Sequence, residues 1–260
     1  SMLVTNNSRN GRDFDFYLSQ PNGQLERILE TQGYWYPLDI APDGSRALLG
    51  TYESAAISHV YLFDFDTRTL RSLTSQAGPA ANRQALFSPD GESIFITSDH
   101  GREYLSLFQL DLSSNKRALL STDISWNVEQ IALSADTQTL TFTTNEEGYS
   151  KLYQMQLDTQ TVSQLPVPNG VLGSLRIARR ATQAAFTLRS PNHIGSIYSL
   201  DLETGAHSER ATGELGELDA SSLISPALIH YKSFDGRSIP AFYYQPEGVG
   251  PFPTIIKIHG

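Results

Sequence analysis

An all-β fold of repeated four-stranded sheets is predicted by three features of this sequence. Four segments recur around a common anchor that ends the third short apolar run of each. These anchors, Phe65, Leu112, Leu157 and Leu202, lie 47, 45 and 45 residues apart. Within a segment apolar and polar residues alternate with the period of two expected of strands, as Leu105 and Leu107 do about Ser106. Polar turn chemistry, Asp-Gly above all, separates the runs. A period near 45 marks a repeat architecture and outranks local propensity. Four-stranded units of this length build the blades of a β-propeller, packed blade on blade around a central axis. A solenoid, the rival, has shorter repeats and no four-strand meander.

The elements follow in order. The opening "SMLVTNNSRNGRDFDF" has neither a charged n-region nor an apolar core, so it is no signal peptide. Ser1-Met2 reads as a cloning remnant, and residues 1–11 are expected to lie outside the blades as a disordered start. "FDFYLSQPNGQLERILE", around Gln20, matches only the second half of a unit. The blades are expected over residues 12–216. In the unit around Leu112 the strands fall at 83–89, 93–99, 105–112 and 116–122. "APDGSR" and "SPDGES" supply tight turns between first and second strands, because Gly adopts positive φ without penalty. The third unit keeps Asp136 but has Thr137 in place of Gly, and the fourth, "ARRATQ", has lost both, so its turn must differ or be strained. No helix of ordinary length is expected before residue 213.

About four and a half blades are therefore visible. A ring of five would need its half-blade completed, for instance by residues 219–231. Seven blades at this spacing would need roughly 315 residues, more than the chain holds. Part of a seven-bladed ring, truncated at the front, is the expectation. The exposed blade edges of such an arc invite self-association.

Composition narrows the function classes. The chain has 260 residues, 39% hydrophobic and 18% charged, which suits a globular protein with a real core. A net charge of −9 argues against nucleic-acid or anionic-membrane partners, which require a basic footprint. There is no cysteine, hence no disulfide or thiolate chemistry. No stretch approaches the length of apolar sequence that spans a bilayer. Cytoplasm and periplasm both stay open as compartments.

After Gly216 the repeat stops. "YKSFDGRSIPAFYYQPEGVGPFPTIIKIHG" reads as a strand ending at Ser233, an Asp235-Gly236 turn, a strand from Ser238 to Tyr244, a Pro/Gly-rich loop, and a third, very apolar strand from Thr254. Through Ser233, Asp235, Gly236, Ile239, Pro240, the Pro246–Pro253 loop and His259-Gly260, this passage resembles the start of the catalytic domain of the prolyl oligopeptidase family of serine peptidases. It is most similar to the acylaminoacyl-peptidase-like branch. The resemblance implies that residues 217–260 are a linker and the first three strands of a truncated α/β-hydrolase domain. It further implies that His259 and Gly260 begin that family's His-Gly-Gly motif.

A serine hydrolase of this kind needs a Gly-x-Ser-x-Gly elbow, followed by Asp and His. No such elbow occurs here, and the resemblance implies that all three triad members lie downstream. The catalytic residues are therefore expected to be absent and this chain alone to be inactive. No cofactor is expected, and the six histidines sit at no metal-ligand spacing. Glu146-Glu147 invites comparison with the paired glutamates that anchor a substrate amino terminus in dipeptidyl-peptidase relatives, yet it occupies a hairpin position where a solvated turn is the plainer reading. Arg102, in the equivalent hairpin, is a candidate for a peptide carboxylate or an ordinary loop residue. Tyr34-Trp35-Tyr36 and Trp126 precede first strands, where packing between blades competes with a ligand platform.

Two functions remain. One is the gating, substrate-selecting propeller of a peptidase acting on short peptides, where an acidic lining would favour cationic ones. The other is a stand-alone propeller that binds proteins or peptides as a scaffold; the repeats alone do not separate the two.

Overall fold

Runs of β-branched and aromatic residues cut by Asx turns favour short antiparallel strands. In the computed structural model, which describes residues 2–74, 78–134, 136–178, 182–191 and 193–258, they form six sheets. Four are meanders of four strands. The first contains β4 (Trp35–Ile40), β5 (Arg46–Ser54), β6 (Ile57–Asp64) and β7 (Leu70–Ser72). The second contains β8 (Asn82–Phe87), β9 (Ser93–Ser98), β10 (Ser106–Asp111) and β11 (Arg117–Leu119). The third contains β12 (Val128–Leu133), β13 (Thr139–Glu146), β14 (Tyr149–Gln156) and β15 (Val162–Leu165). The fourth contains β16 (Val171–Ile177), β17 (Gln183–Ser190), β18 (His193–Asp201) and β19 (His207–Ala211). The fold is an all-β propeller of four-stranded blades. Among the described residues the only helical element is the 3-10 turn Ala220–Ser222.

Aspartates close the turns, as their spacing predicts. Asp43, Asp90 and Asp136 accept the backbone N–H of Ser45 (2.9 Å), Glu92 (2.9 Å) and Gln138 (3.1 Å). At the end of third strands Asp64, Asp111 and Asp201 do the same for Thr67, Ser114 and Thr204, at 2.8, 2.7 and 2.8 Å. Gly44 and Gly91 take positive φ beside these turns, and Thr137, at φ 61°, takes the same left-handed conformation despite its branched Cβ. The "ARRATQ" turn lies largely outside the described residues, which omit 179–181.

Each core cluster sits between two neighbouring blades. Leu48 and Val60 meet Ile94 and Leu110; Phe95 and Leu107 meet Leu140 and Phe142; Leu152 meets Phe186 and Leu200. A blade with neighbours on both sides buries both faces of its second strand, and all six residues of β9 are buried. The last blade has a neighbour on one side, and β17 buries Ala184, Phe186 and Leu188 while exposing Gln183, Ala185 and Arg189.

Three features differ from the sequence reading. Residues 1–11 are not wholly outside the blades: β1 (Met2–Asn6) pairs along its length with β2 (Asp15–Ser19), which pairs with β3 (Leu25–Leu29). The partial unit thus has three strands, and Leu3 joins Phe16, Ala47 and Phe63 in the first core cluster. A lone strand without a recognisable repeat partner carries little signal, whereas its pairing partner is unambiguous in space. Residues 219–231 complete no blade, because β20 (Ala227–Lys232) pairs with β21 (Ser238–Tyr243) in a separate hairpin. Its turn is the expected one, Gly236 N–H donating to the Ser233 carbonyl at 2.9 Å. The third strand expected from Thr254 is not formed: residues 251–258 have no regular structure. Ile255, Ile256 and Ile258 are 94%, 82% and 86% exposed. Apolar alternation gives a segment strand propensity, but a strand exists only with a hydrogen-bonding neighbour.

Candidate functional site

The first strand of every complete blade carries a β-bulge: near Pro37/Asp39 in β4, Asn82/Ala85 in β8, Val128/Gln130 in β12 and Gly173/Arg176 in β16. A bulge inserts a residue and re-aims the side chains beside it. The four first strands converge on a cavity of about 890 Å³. Bulge residues also stitch blade to blade. The Asp39 carboxylate accepts the Phe87 N–H at 2.8 Å, and Gln130 Oε1 accepts the Leu175 N–H at 2.9 Å. Burial pushes the Asp39 carboxyl upward, with the Phe87 hydrogen bond opposing. The charged residues lining the cavity, among those described, are Asp39, Arg83 and Arg176. The lining is not acidic, so the net charge of −9 resides elsewhere and gives this cavity no preference for cationic peptides.

In a meander the hairpins between second and third strands, and the links between blades, all emerge at one end. The sequence candidates lie on this upper rim. Arg102, in the β9–β10 loop, donates through Nε to Ser106 Oγ at 2.8 Å. Glu146 ends β13, and its Oε1 accepts from Tyr153 OH (2.7 Å) and Thr144 Oγ1 (2.8 Å). Burial, and then that bond to Glu146, push the Tyr153 phenol up to about 12. Glu147 and Gly148 form the two-residue turn of this hairpin, both at positive φ (54° and 92°). The two glutamates are therefore not a matched pair: one points back along its sheet, the other outward.

Glu147 meets the tail hairpin. His230 Nε2 stands 2.8 Å from Glu147 Oε1, 83 residues away in sequence. The Phe242 ring lies edge-on to Tyr149, centroids 5.0 Å apart, and against Gly148, where a Cβ would come within 2.7 Å of it. Behind this seam is a cavity of about 260 Å³, lined also by Pro191, Pro226 and Tyr244. Neither the 83-residue separation nor the role of the missing Cβ had a local signal in the sequence. A two-stranded hairpin is marginal alone, so this contact is expected to hold β20–β21 in place. Phe242→Ala should cost the amides of β20 and β21 about tenfold or more in hydrogen-exchange protection while those of β13 and β14 keep theirs; equal protection in both variants would contradict the docking.

The aromatic cluster divides. Trp35 packs among core residues, its ring 4.8 Å from Tyr61, and donates Nε1–H to the Gln32 carbonyl. Tyr34 stays half exposed and Tyr36 lines the inner cavity. Trp126 lies 6.4 Å from Tyr104, ring to ring, on the same rim. His259 and Gly260 lie outside the described residues. Among the described residues no group of three His, Cys, Asp or Glu could hold a metal ion, and no helix is long and apolar enough to cross a membrane.

No protein-family profile matches the chain. Solved structures do match. A puromycin-hydrolyzing peptidase of Mycobacterium tuberculosis has a TM-score of 0.75 at 16% identity, over 93% of this chain and 40% of that one. Prolyl oligopeptidase B from Galerina marginata has a TM-score of 0.68 at 16% identity, over 92% and 36%. TolB from Acinetobacter baumannii has a TM-score of 0.65 at 21% identity, over 82% and 52%. These matches define the class as the propeller fold found in prolyl oligopeptidase-type peptidases and in TolB. At such identities the likeness shows the fold alone, and the chain spans 36%, 40% and 52% of the structures just named.

Proposed function

We propose that this chain is the propeller portion of a serine peptidase of the prolyl oligopeptidase type, in the acylaminoacyl-peptidase-like branch, and that its inner cavity selects short peptides for a hydrolase domain lying outside these residues. The observation that carries the reading is the tail. A hairpin outside the blades docks on their upper rim and is followed by an apolar stretch, Thr254–Ile258, whose isoleucines are almost fully exposed. Such a stretch calls for a sheet to cover it. The resemblance around Asp235-Gly236 and into His259-Gly260 supports a hydrolase sheet as that partner. The propeller's contribution is steric: a walled passage admits extended peptides and excludes folded proteins. The intact gene product should hydrolyse short peptides and leave folded domains uncut, while residues 1–260 alone cleave neither. Cleavage of folded domains at comparable rates would remove the gating role.

The rival reading, a propeller that only binds peptides or proteins, is favoured by the TolB likeness. It prevails if the intact gene product has no reactive serine. Self-association is a further proposal. The end sheets leave Met2, Leu25, Ile194 and Ile197 exposed, by 65%, 48%, 53% and 45%. Sedimentation of the 260-residue chain should then show concentration-dependent association, and a monomer at all concentrations would rule it out.

A further inference from the structure

We propose that Tyr34, Tyr36 and Tyr52 form an aromatic lip at the upper mouth of the inner cavity, which grips an extended peptide through an aromatic side chain. The proposal deepens the peptide-passage reading and rests on it.

The strand register builds the lip. Trp35 pairs with Thr51 and Tyr36 with Gly50, so alternate residues Tyr34 and Tyr36 share a face with Gly50 and Tyr52. The Tyr52 N–H donates to the Tyr34 carbonyl at 3.3 Å, extending the ladder beyond β4. The Tyr36 ring lies over the bare backbone of Gly50, where a Cβ would come within 2.5 Å of it. Gly50 has an ordinary negative φ, so space, not backbone conformation, explains the glycine.

The rings are held from behind and open in front. Phe14 packs edge-on against Tyr34, with centroids 5.0 Å apart, and Tyr34 is 5.7 Å from Tyr36 with the planes tilted by 36°. Arg83 sits over the Tyr52 ring at 5.5 Å and donates through Nη2 to the Ala55 carbonyl at 2.6 Å, fixing that side of the lip. Yet Tyr34 is 51% and Tyr52 43% exposed. Singly exposed aromatics need no explanation, but several on one face, braced and contiguous with a large cavity, are the surface expected of a binding site.

The chemistry selects the ligand class. Tyr36 and Arg83 both line the inner cavity, so an occupant of the lip continues into it. Offset or edge-to-face packing favours an aromatic side chain over an aliphatic one of similar size. The phenol hydroxyls offer hydrogen bonds to the polar backbone of an extended peptide. The net charge of −9 disfavours the other stacking ligand, a nucleic acid.

The test is fluorescence anisotropy with the 260-residue chain and two fluorescein-labelled glycine-serine peptides, one carrying two phenylalanines and the other two alanines in their place. The phenylalanine peptide should bind about tenfold tighter or more. The double variant Tyr34→Ala/Tyr52→Ala should lose that preference, and Tyr34→Phe/Tyr52→Phe should keep it. Because both side chains are half exposed, thermal unfolding of each variant should match the parent chain, which separates lost binding from lost folding. Equal binding of the two peptides, or a preference that survives the alanine variant, overturns the lip. Hydrolysis does not enter this readout: a lost lip with peptide hydrolysis intact removes this inference alone, and an intact lip without hydrolysis removes the peptidase reading alone.

Discussion

Replacing Asp15 by alanine is expected to unfold the three-stranded sheet at the front of the propeller and to lower stability by about 1.5–3 kcal/mol, the usual worth of hydrogen bonds made to a charged group. The Asp15 side chain is fully buried and accepts Arg9 Nε at 2.7 Å, Arg9 Nη2 at 3.1 Å and the Thr31 N–H at 3.0 Å. Arg9 in turn donates to the Thr31 carbonyl at 2.8 Å. One carboxylate thus ties the β1–β2 loop to the segment following β3. Without it the guanidinium and the Thr31 amide lose their shared partner in a sheet of only three strands. Chemical denaturation followed by hydrogen exchange checks the prediction: β1 to β3 should lose protection well before the complete blades.

The same carboxylate makes the sheet acid-sensitive, and the sign follows from its pKa. The Arg9 hydrogen bond, opposed by burial and helped by the Thr31 N–H and neighbouring arginines, holds Asp15 below the ordinary carboxylate range. A group whose folded pKa is depressed contributes stability above its unfolded value, near 4, and loses it as pH falls through the folded value. The turn carboxylates Asp64, Asp111 and Asp201 act in the same sense, with hydroxyl and backbone donors holding Asp111 at about 2. Stability should therefore fall between about pH 4 and pH 2, and Asp15→Asn should blunt the part of that fall that belongs to the front sheet.

The second large effect is expected at Phe142, where alanine should cost about 3–5 kcal/mol. Its side chain is fully buried between the second and third complete blades and stacks on Tyr153 with centroids 5.3 Å apart and planes 18° from parallel. The space left behind is walled by Phe95, Leu107, Leu140 and Met155 of the same core cluster. Loss of the stack also frees Tyr153, whose hydroxyl holds Glu146. Thr143→Val on the same strand is the control: its buried hydroxyl finds no hydrogen-bond partner among the described residues, so removing it should be neutral or stabilising. Equilibrium denaturation of both variants decides the matter.

Much of the fold was legible because the repeat writes the same physics several times. Asp43-Gly44 and Asp90-Gly91 mark turns that only a positive φ closes, and Leu112 and Leu202 recur because each follows a capping aspartate into a buried position. The strand Met2–Asn6 was not legible, since it appears once and its partner follows across a polar loop. The bulges were hidden for a different reason: an extra residue in a strand is defined by its neighbour's register and leaves no composition of its own. At the rim, Glu146-Glu147 read chiefly as a hairpin turn, with a substrate-anchoring pair as the other candidate; alternation along a strand and a two-residue turn send the two side chains to different partners. The isoleucines of residues 255–258 read as a covered strand; their pattern records a propensity, and among the described residues no strand pairs with them.

The most direct measurement of the central claim is labelling of the intact gene product with a fluorophosphonate, followed by mapping of the modified residue. The account predicts a single reactive serine in a Gly-x-Ser-x-Gly elbow outside residues 1–260, and no modification of the 260-residue chain alone. No labelling of the intact product, or labelling of a serine within the blades, would contradict it.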